Sequence, residues 1–213
     1  MKHITFYLDF ISPYAHLAFE QIPITLEGLS YTIDYKPVFL GALLRHHGQL
    51  GPAEIAAKRD WTYRHVQWLG HSQGIELTMP CVHPFNPLPL LRLSIACAQG
   101  GNPNRFVCES IFRHVWHGGL DPNEATRLAA LQTQLAPTMA SDDEAVKARL
   151  RQNGEQAIAA QVFGVPALVV DDKVFWGFDA LPMLRQYLDG DAWFEGPGWH
   201  NVDAVQSAIA LKR

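Results

Sequence analysis

The chain has 213 residues, 48% of them hydrophobic, enough to bury a substantial core in one compact unit or in a domain that carries an insertion. A net charge of -4 gives no reason to expect nucleic acid or an anionic membrane as partner, and no apolar run approaches the ~20 residues of a spanning helix. Met1, Lys2 and His3 lead straight into strand-like sequence with no secretory apolar segment, so a soluble, cytoplasmic protein is expected.

Ile4, Phe6, Leu8 and Phe10 alternate with Thr5, Tyr7 and Asp9, the period-two pattern of a strand with one face in a core. Ser12 and Pro13 then stand where a helix N-cap and a first helical residue belong, and Tyr14, Leu17, Ala18, Gln21 and Ile22 follow at helical spacing. The Ser12 hydroxyl thus lies among unpaired N–H groups at the positive end of a helix dipole, a place suited to an anion. Position alone leaves it open between a plain cap and a catalytic group. Residues 29–39 alternate again, with Tyr31, Ile33 and Tyr35 on one side, so strand, helix and strand imply a right-handed crossover and a parallel pair.

Residues 41–47 and 53–69 read as helices, the second after a Gly51-Pro52 break and with Ile55, Lys58, Arg59, Thr62, Val66 and Leu69 on one side. Residues 79–87 form a proline-rich connector, too rigid for a helix. Helical spacing resumes through Leu90, Leu91, Leu93, Ile95 and Ala98 and is expected to stop at Gly100-Gly101. Another helix covers about 105–115, Asp121-Pro122 with Glu124 opens the next, and Ser141-Asp142-Asp143-Glu144 opens one running towards Ala160. Strand character returns at 166–170, with Asp171-Asp172 as the turn and 173–176 as an antiparallel partner. Asp179 is placed to cap a last helix over 181–188. The tail from 190 onward carries Trp193, Phe194 and Trp199 and is expected to pack across the body or a partner subunit.

Cys81, Cys97 and Cys108 are odd in number and form no Cys-x-x-Cys, which argues against a disulfide scaffold; they read as buried small hydrophobes. His16, four residues after Ser12, suggests a serine nucleophile with a histidine base, yet such a hydrolase needs an orienting third group and there is no G-x-S-x-G elbow. None of the ten histidines joins a Cys or acid pattern of metal-ligand type, so no metal is expected.

Strand-helix-strand at one end, strand-strand-helix at the other and a helical block between is the layout of an α/β thioredoxin-like fold with an inserted all-helical subdomain. The expected division is 1–40 and 161–190 for the discontinuous thioredoxin-like part, 41–160 for the insertion and 191–213 for the tail. Thioredoxin-like proteins carry a redox Cys-x-x-Cys at the first turn; here the tetrapeptide is Ser12-Pro13-Tyr14-Ala15, so dithiol chemistry is excluded and a thiol must come from elsewhere.

FYLDFISPYAHLAF at the front, HPFNPLPLLRL in the middle, and VFGVPALVV with FWGFDAL near the end stand in the order of a known family. Over residues 3 to about 189 the chain resembles the 2-hydroxychromene-2-carboxylate isomerases, relatives of the kappa-class glutathione transferases. The resemblance implies glutathione as cofactor, held by Ser12, Val165, Pro166, Trp176, Gly177, Phe178 and Asp179. In this scheme the Ser12 hydroxyl hydrogen-bonds the thiolate and is the catalytic group. Val165, before Pro166, is the backbone clamp on the cysteinyl part, where the residues alone suggest an ordinary strand-starting proline. Asp179 receives the γ-glutamyl ammonium, where spacing alone suggests a helix cap. Lys36 and Asn86 are the expected substrate contacts, Asn86 also reading as a cap for the helix opened by Pro87. The implied substrate is an aromatic keto acid, isomerised by reversible thiolate addition, and the implied assembly is a homodimer. The alternatives are a kappa-like transferase and a glutathione-binding protein without activity. Phe178 and Ala180 depart from the family pattern at the γ-glutamyl end, and Trp61, His65 and Trp68 depart from it in the helical block.

Overall fold

The computed structural model describes residues 1–98 and 101–205; residues 99–100 and 206–213 lie outside them, and with them one half of the Gly100-Gly101 stop. β1 (Lys2–Leu8), α1 (Pro13–Thr25) and β2 (Tyr31–Pro37) form the first unit, with β1 and β2 parallel and Leu8 opposite Pro37. β3 (Ala167–Val170) returns antiparallel beside β1, with Tyr7 opposite Ala167, and β4 (Lys173–Trp176) pairs antiparallel with β3. The sheet order is β2-β1-β3-β4, and α8 (Leu181–Leu188) follows. This is a thioredoxin-like arrangement. Between β2 and β3 the described residues are helical or irregular: α2 (Leu40–His46), α3 (Ala56–Gln73), α4 (Leu88–Ala96), α5 (Arg105–Trp116), α6 (Ala125–Leu135) and α7 (Glu144–Ala159).

Alternation along β1 predicts one buried face, and Ile4, Phe6, Leu8 and Phe10 are indeed fully buried among α1, α4, α5 and α8 residues. The other face is covered as well. Tyr7 and Asp9 are buried, and Tyr7 packs with Val38, Leu43, Ala157, Val162, Val165 and Ala167 in a second, smaller core. α2 and α7 supply the cover, and both come from remote sequence.

Several element ends differ from expectation for local reasons. α4 stops at Ala96, ahead of the expected Gly100-Gly101. α6 starts at Ala125, where Glu124 rather than Asp121 is the cap and accepts the Thr126 and Arg127 N–H groups. α1 runs through Pro23 to its end at Thr25. Cys108 is buried and Cys97 half-buried, but Cys81 is exposed, because its connector runs over the surface and holds only its backbone N–H inward, on the Gly119 carbonyl. The described part of the tail lies on the body: Phe194 is buried against Phe175, Tyr187 and Trp199, the last from α9 (Pro197–His200).

Candidate active site

β1 ends, β3 begins and β4 ends at one edge of the molecule, and the turn after β1 brings Ser12 to it. Ser12 adopts the extended backbone of an N-cap (φ -89°, ψ 115°) with Pro13 in the first helical position. Its Oγ accepts the Ala15 N–H at 3.2 Å and donates to the Val165 carbonyl across a long 3.5 Å. An N–H drawn into Oγ makes the hydroxyl a better donor, and its present acceptor holds it weakly. No acidic residue occupies the first turn of α1, so the positive end of the dipole is uncompensated there.

The remaining expected residues reach this point through the start of β3 and the end of β4. The Val165–Pro166 bond is cis, and the Gly177 N–H donates to the Pro166 carbonyl at 2.9 Å, which ties the segment after β4 to the Ser12 side. Gly177 has φ +100°, and a Cβ there would stand 2.4 Å from Asp179 Oδ1, so only glycine fits. Trp176 is half-exposed and lies over the backbone at Gly164, where a Cβ would come within 2.8 Å of its indole nitrogen. Phe178 is half-buried and packs on the main core.

Asp179 does not cap α8. It sits inside a short 3-10 turn, Phe178–Ala180, which moves the cap position to Ala180 and leaves no side chain to fill it. The Asp179 carboxylate is exposed and has no hydrogen bond or ion pair among the described residues. It faces Tyr14: burial first, and then the Asp179 charge, push the Tyr14 phenol above its ordinary range.

Lys36 and Asn86 have partners of their own. Lys36 Nζ donates to Gln156 Oε1 of α7 at 2.9 Å and lies over the Tyr7 ring. Lys36, Tyr7 and Ala167 form one row across three strands, which puts Lys36 about 10 Å from the start of β3 by two inter-strand spacings. Asn86 Oδ1 accepts the Leu88 N–H at 3.1 Å in a turn just before α4, but the N-cap position belongs to Pro87, so Asn86 is not the expected cap.

The serine-histidine pair is not formed. His16 is fully buried and turns Nε2 to the Glu76 carbonyl at 3.0 Å, leaving Nδ1 unpartnered among the described residues. Cys97 and Cys108 are not placed for nucleophilic work either. Burial pushes the Cys97 thiol up to about 11 and Cys108 higher still. Among the described residues no cluster of three His, Cys, Asp or Glu side chains could hold a metal ion, and no helix is long and apolar enough to cross a membrane. Two concavities of about 460 Å³ lie elsewhere, one lined by α5 and α6, the other beside β2, and neither contains Ser12.

Sequence reasoning marked Trp61, His65 and Trp68 only as departures from the family pattern and missed their place beside the turn. Tyr14 donates to or accepts from His65 Nδ1 at 2.9 Å, and His65 lies nearly parallel to Trp61 and Trp68 on α3, both indoles mostly exposed. The one usable signal was Tyr14 two residues past Ser12; the partner sits 51 residues away. Taken together, the site offers a hydroxyl donor at a helix start, the Val165 backbone and an unpaired carboxylate. That set suits an extended peptide bearing a thiolate and an ammonium.

The DSBA-like thioredoxin domain model matches residues 3–189. The chain is 26% identical over 194 residues to a 2-hydroxychromene-2-carboxylate isomerase of Sphingobium xenophagum, covering 88% of this chain and 98% of that one. It is 26% identical over 216 residues to glutathione S-transferase kappa 2 of Caenorhabditis elegans, covering 92% and 95%. Among solved structures, that of a 2-hydroxychromene-2-carboxylate isomerase superposes with a TM-score of 0.77 at 22% identity, covering 96% of this chain and all of that one. This last likeness concerns the fold.

Proposed function

The chain belongs to the DSBA-like thioredoxin domain family, and from that premise we propose that it is a glutathione-dependent isomerase acting on 2-hydroxychromene-2-carboxylate or a related conjugated keto acid of aromatic degradation. The observation that carries the reading is the convergence of Ser12, Val165 and an unpaired Asp179 at a turn whose tetrapeptide has no sulfur. The isomerase and kappa-class names among its relatives support it.

When bound, glutathione supplies the thiolate that adds to the conjugated double bond and leaves again after rotation about it. The residues of this chain hold and polarise. Ser12 exchanges its weak bond to the Val165 carbonyl for one to the sulfur, while Ala15 N–H and the α1 dipole favour the anionic form. Val165 takes the peptide backbone, and Asp179 takes the ammonium beside the N–H groups of the turn at Phe178–Ala180. With Phe178 apolar and Ala180 short, that end depends on backbone and on Asp179. Lys36 meets the substrate carboxylate by exchanging Gln156 for it, and Asn86 lines the approach. A cytoplasmic homodimer and the division into 1–40 with 161–190, 41–160 and 191–213 belong to the same proposal.

The test is the interconversion of 2-hydroxychromene-2-carboxylate and trans-o-hydroxybenzylidenepyruvate with catalytic glutathione. Ser12→Ala is expected to lower kcat/KM about 10²-fold, the usual cost of one donor at a developing anion. Turnover unchanged by that substitution, or no calorimetric binding of glutathione, overturns the proposal. The kappa-class relative favours one second reading, a transferase, which stoichiometric loss of thiol during turnover would establish instead.

A further inference from the structure

The two peptide planes leading into Ser12 leave no polar atom unheld. The Ile11 N–H donates to Asp9 Oδ1 at 3.2 Å and the Ser12 N–H to the Asp9 carbonyl at 3.1 Å. The Phe10 carbonyl accepts Trp116 Nε1–H from α5 at 3.1 Å. The Ile11 carbonyl accepts His83 Nε2–H from the proline-rich connector at 2.9 Å. A short turn with four satisfied backbone groups has no freedom to reorient the residue that follows it. Two of the four partners come from segments 72 and 106 residues away.

We infer that His83, oriented by Tyr63, is a positioning residue that sets the direction of the Ser12 hydroxyl by fixing the Ile11–Ser12 peptide plane. A carbonyl only accepts, so the ring must carry its proton on Nε2. That leaves Nδ1 bare in the neutral ring; the Tyr63 hydroxyl donates to the His83 carbonyl at 2.9 Å and stands 2.7 Å from Nδ1, its single proton shared between the two acceptors. The Ile11 carbonyl thus selects the tautomer, while Tyr63 holds the ring and backbone of His83 from the opposite side. The ring is also held by packing, edge-on to Tyr63 at 5.3 Å and against Trp116 at 5.7 Å. Burial lowers the His83 pKa and so favours the neutral form with a single N–H. Trp116 therefore serves the turn twice, by its own N–H and by bracing the histidine.

The inference rests on the thiolate reading above, and its test separates the two. His83→Phe keeps a ring and removes the donor; His83→Gln keeps a donor at nearly the same reach. In the free protein, amide exchange at Ser12 and Ala15 is expected to rise about tenfold in His83→Phe and to stay within about twofold of wild type in His83→Gln. With glutathione bound, thiolate absorbance against pH should show the thiol pKa about one unit higher in His83→Phe. Isomerase kcat should fall at least about tenfold with KM for the aromatic acid unchanged, and His83→Gln should restore it. If His83→Phe does not fold, Tyr63→Phe carries the test, with smaller shifts in the same direction. Wild-type exchange and wild-type titration in the donor-free variant overturn the inference, as do equal losses in the Phe and Gln variants. No glutathione binding by the wild type overturns the thiolate reading alone, and the exchange of the free protein still decides the role of His83.

Discussion

Asp9 has no solvent exposure, and its carboxylate accepts the Ile11 and Leu40 N–H groups, with the Phe10 backbone also pulling on it. Burial pushes its pKa up to about 7 against the pull of those amides. The folded value lies above the unfolded one, so between about pH 4 and 7 the native state binds the extra proton and stability falls as pH rises. Three units correspond to about 4 kcal/mol as an upper figure. His16 works in the opposite sense: burial lowers it to about 4, so its contribution grows with pH over about 4 to 6.5. The wild-type profile is therefore expected to be shallow, and the difference between variants is the informative quantity. Asp9→Asn should gain on wild type by up to about 4 kcal/mol from pH 4 to 7, read by urea unfolding at each pH. A constant difference would show that Asp9 is ionised throughout. Residue identity announced Ser12 and Pro13 plainly, whereas the spacing of Asp9 in its alternating run and of His83 in the proline-rich connector does not name their partners; their roles are defined by Leu40 and Ile11, which folding delivers.

At the scale of elements, patterning located the four strands and the helices, since period and capping chemistry are local properties. The errors fell at ends, where two local solutions compete. Glu124 displaced Asp121 as a cap because its longer carboxylate reaches two N–H groups at once, and Asp179 lost its cap role to a 3-10 turn that Gly177 permits. Asn104 is a cap that operates as such, accepting the Val107 N–H at 2.9 Å at the start of α5. Because α5 carries Trp116 to the Ser12 turn, Asn104→Ala is expected to cost about 1 kcal/mol of stability in urea unfolding. The distant Ser12 turn should then lose no more than the whole protein does; a loss of activity without loss of stability would contradict this.

For the molecule as a whole, the described part of the tail completes the body rather than hanging from it. Lys173 is buried under it, between Asp172 at 3.2 Å and Glu195 at 3.6 Å and over the Tyr187 and Trp199 rings. Lys2 reaches Asp171 from the other terminus, and the Tyr187 hydroxyl bonds the same carboxylate. Phe194, 1% exposed, is the apolar anchor of this closure. Phe194→Ala is expected to cost about 3 kcal/mol, or about 10 °C in Tm for a chain of this size. A change below 1 °C in calorimetry would mean that the tail does not contribute to the cooperative core.

By itself the sequence determined the order of strands and helices, the N-cap serine, the absence of a redox dithiol and the turn at Asp171-Asp172, because each depends on neighbours a few residues apart. Tertiary structure alone decided that the second face of β1 is buried, that Asp179 stays free and that His83 and Trp116 hold the turn before Ser12. Those outcomes arise from pairings over tens to more than a hundred residues, and no local period or spacing records which distant carbonyl a buried ring N–H will meet.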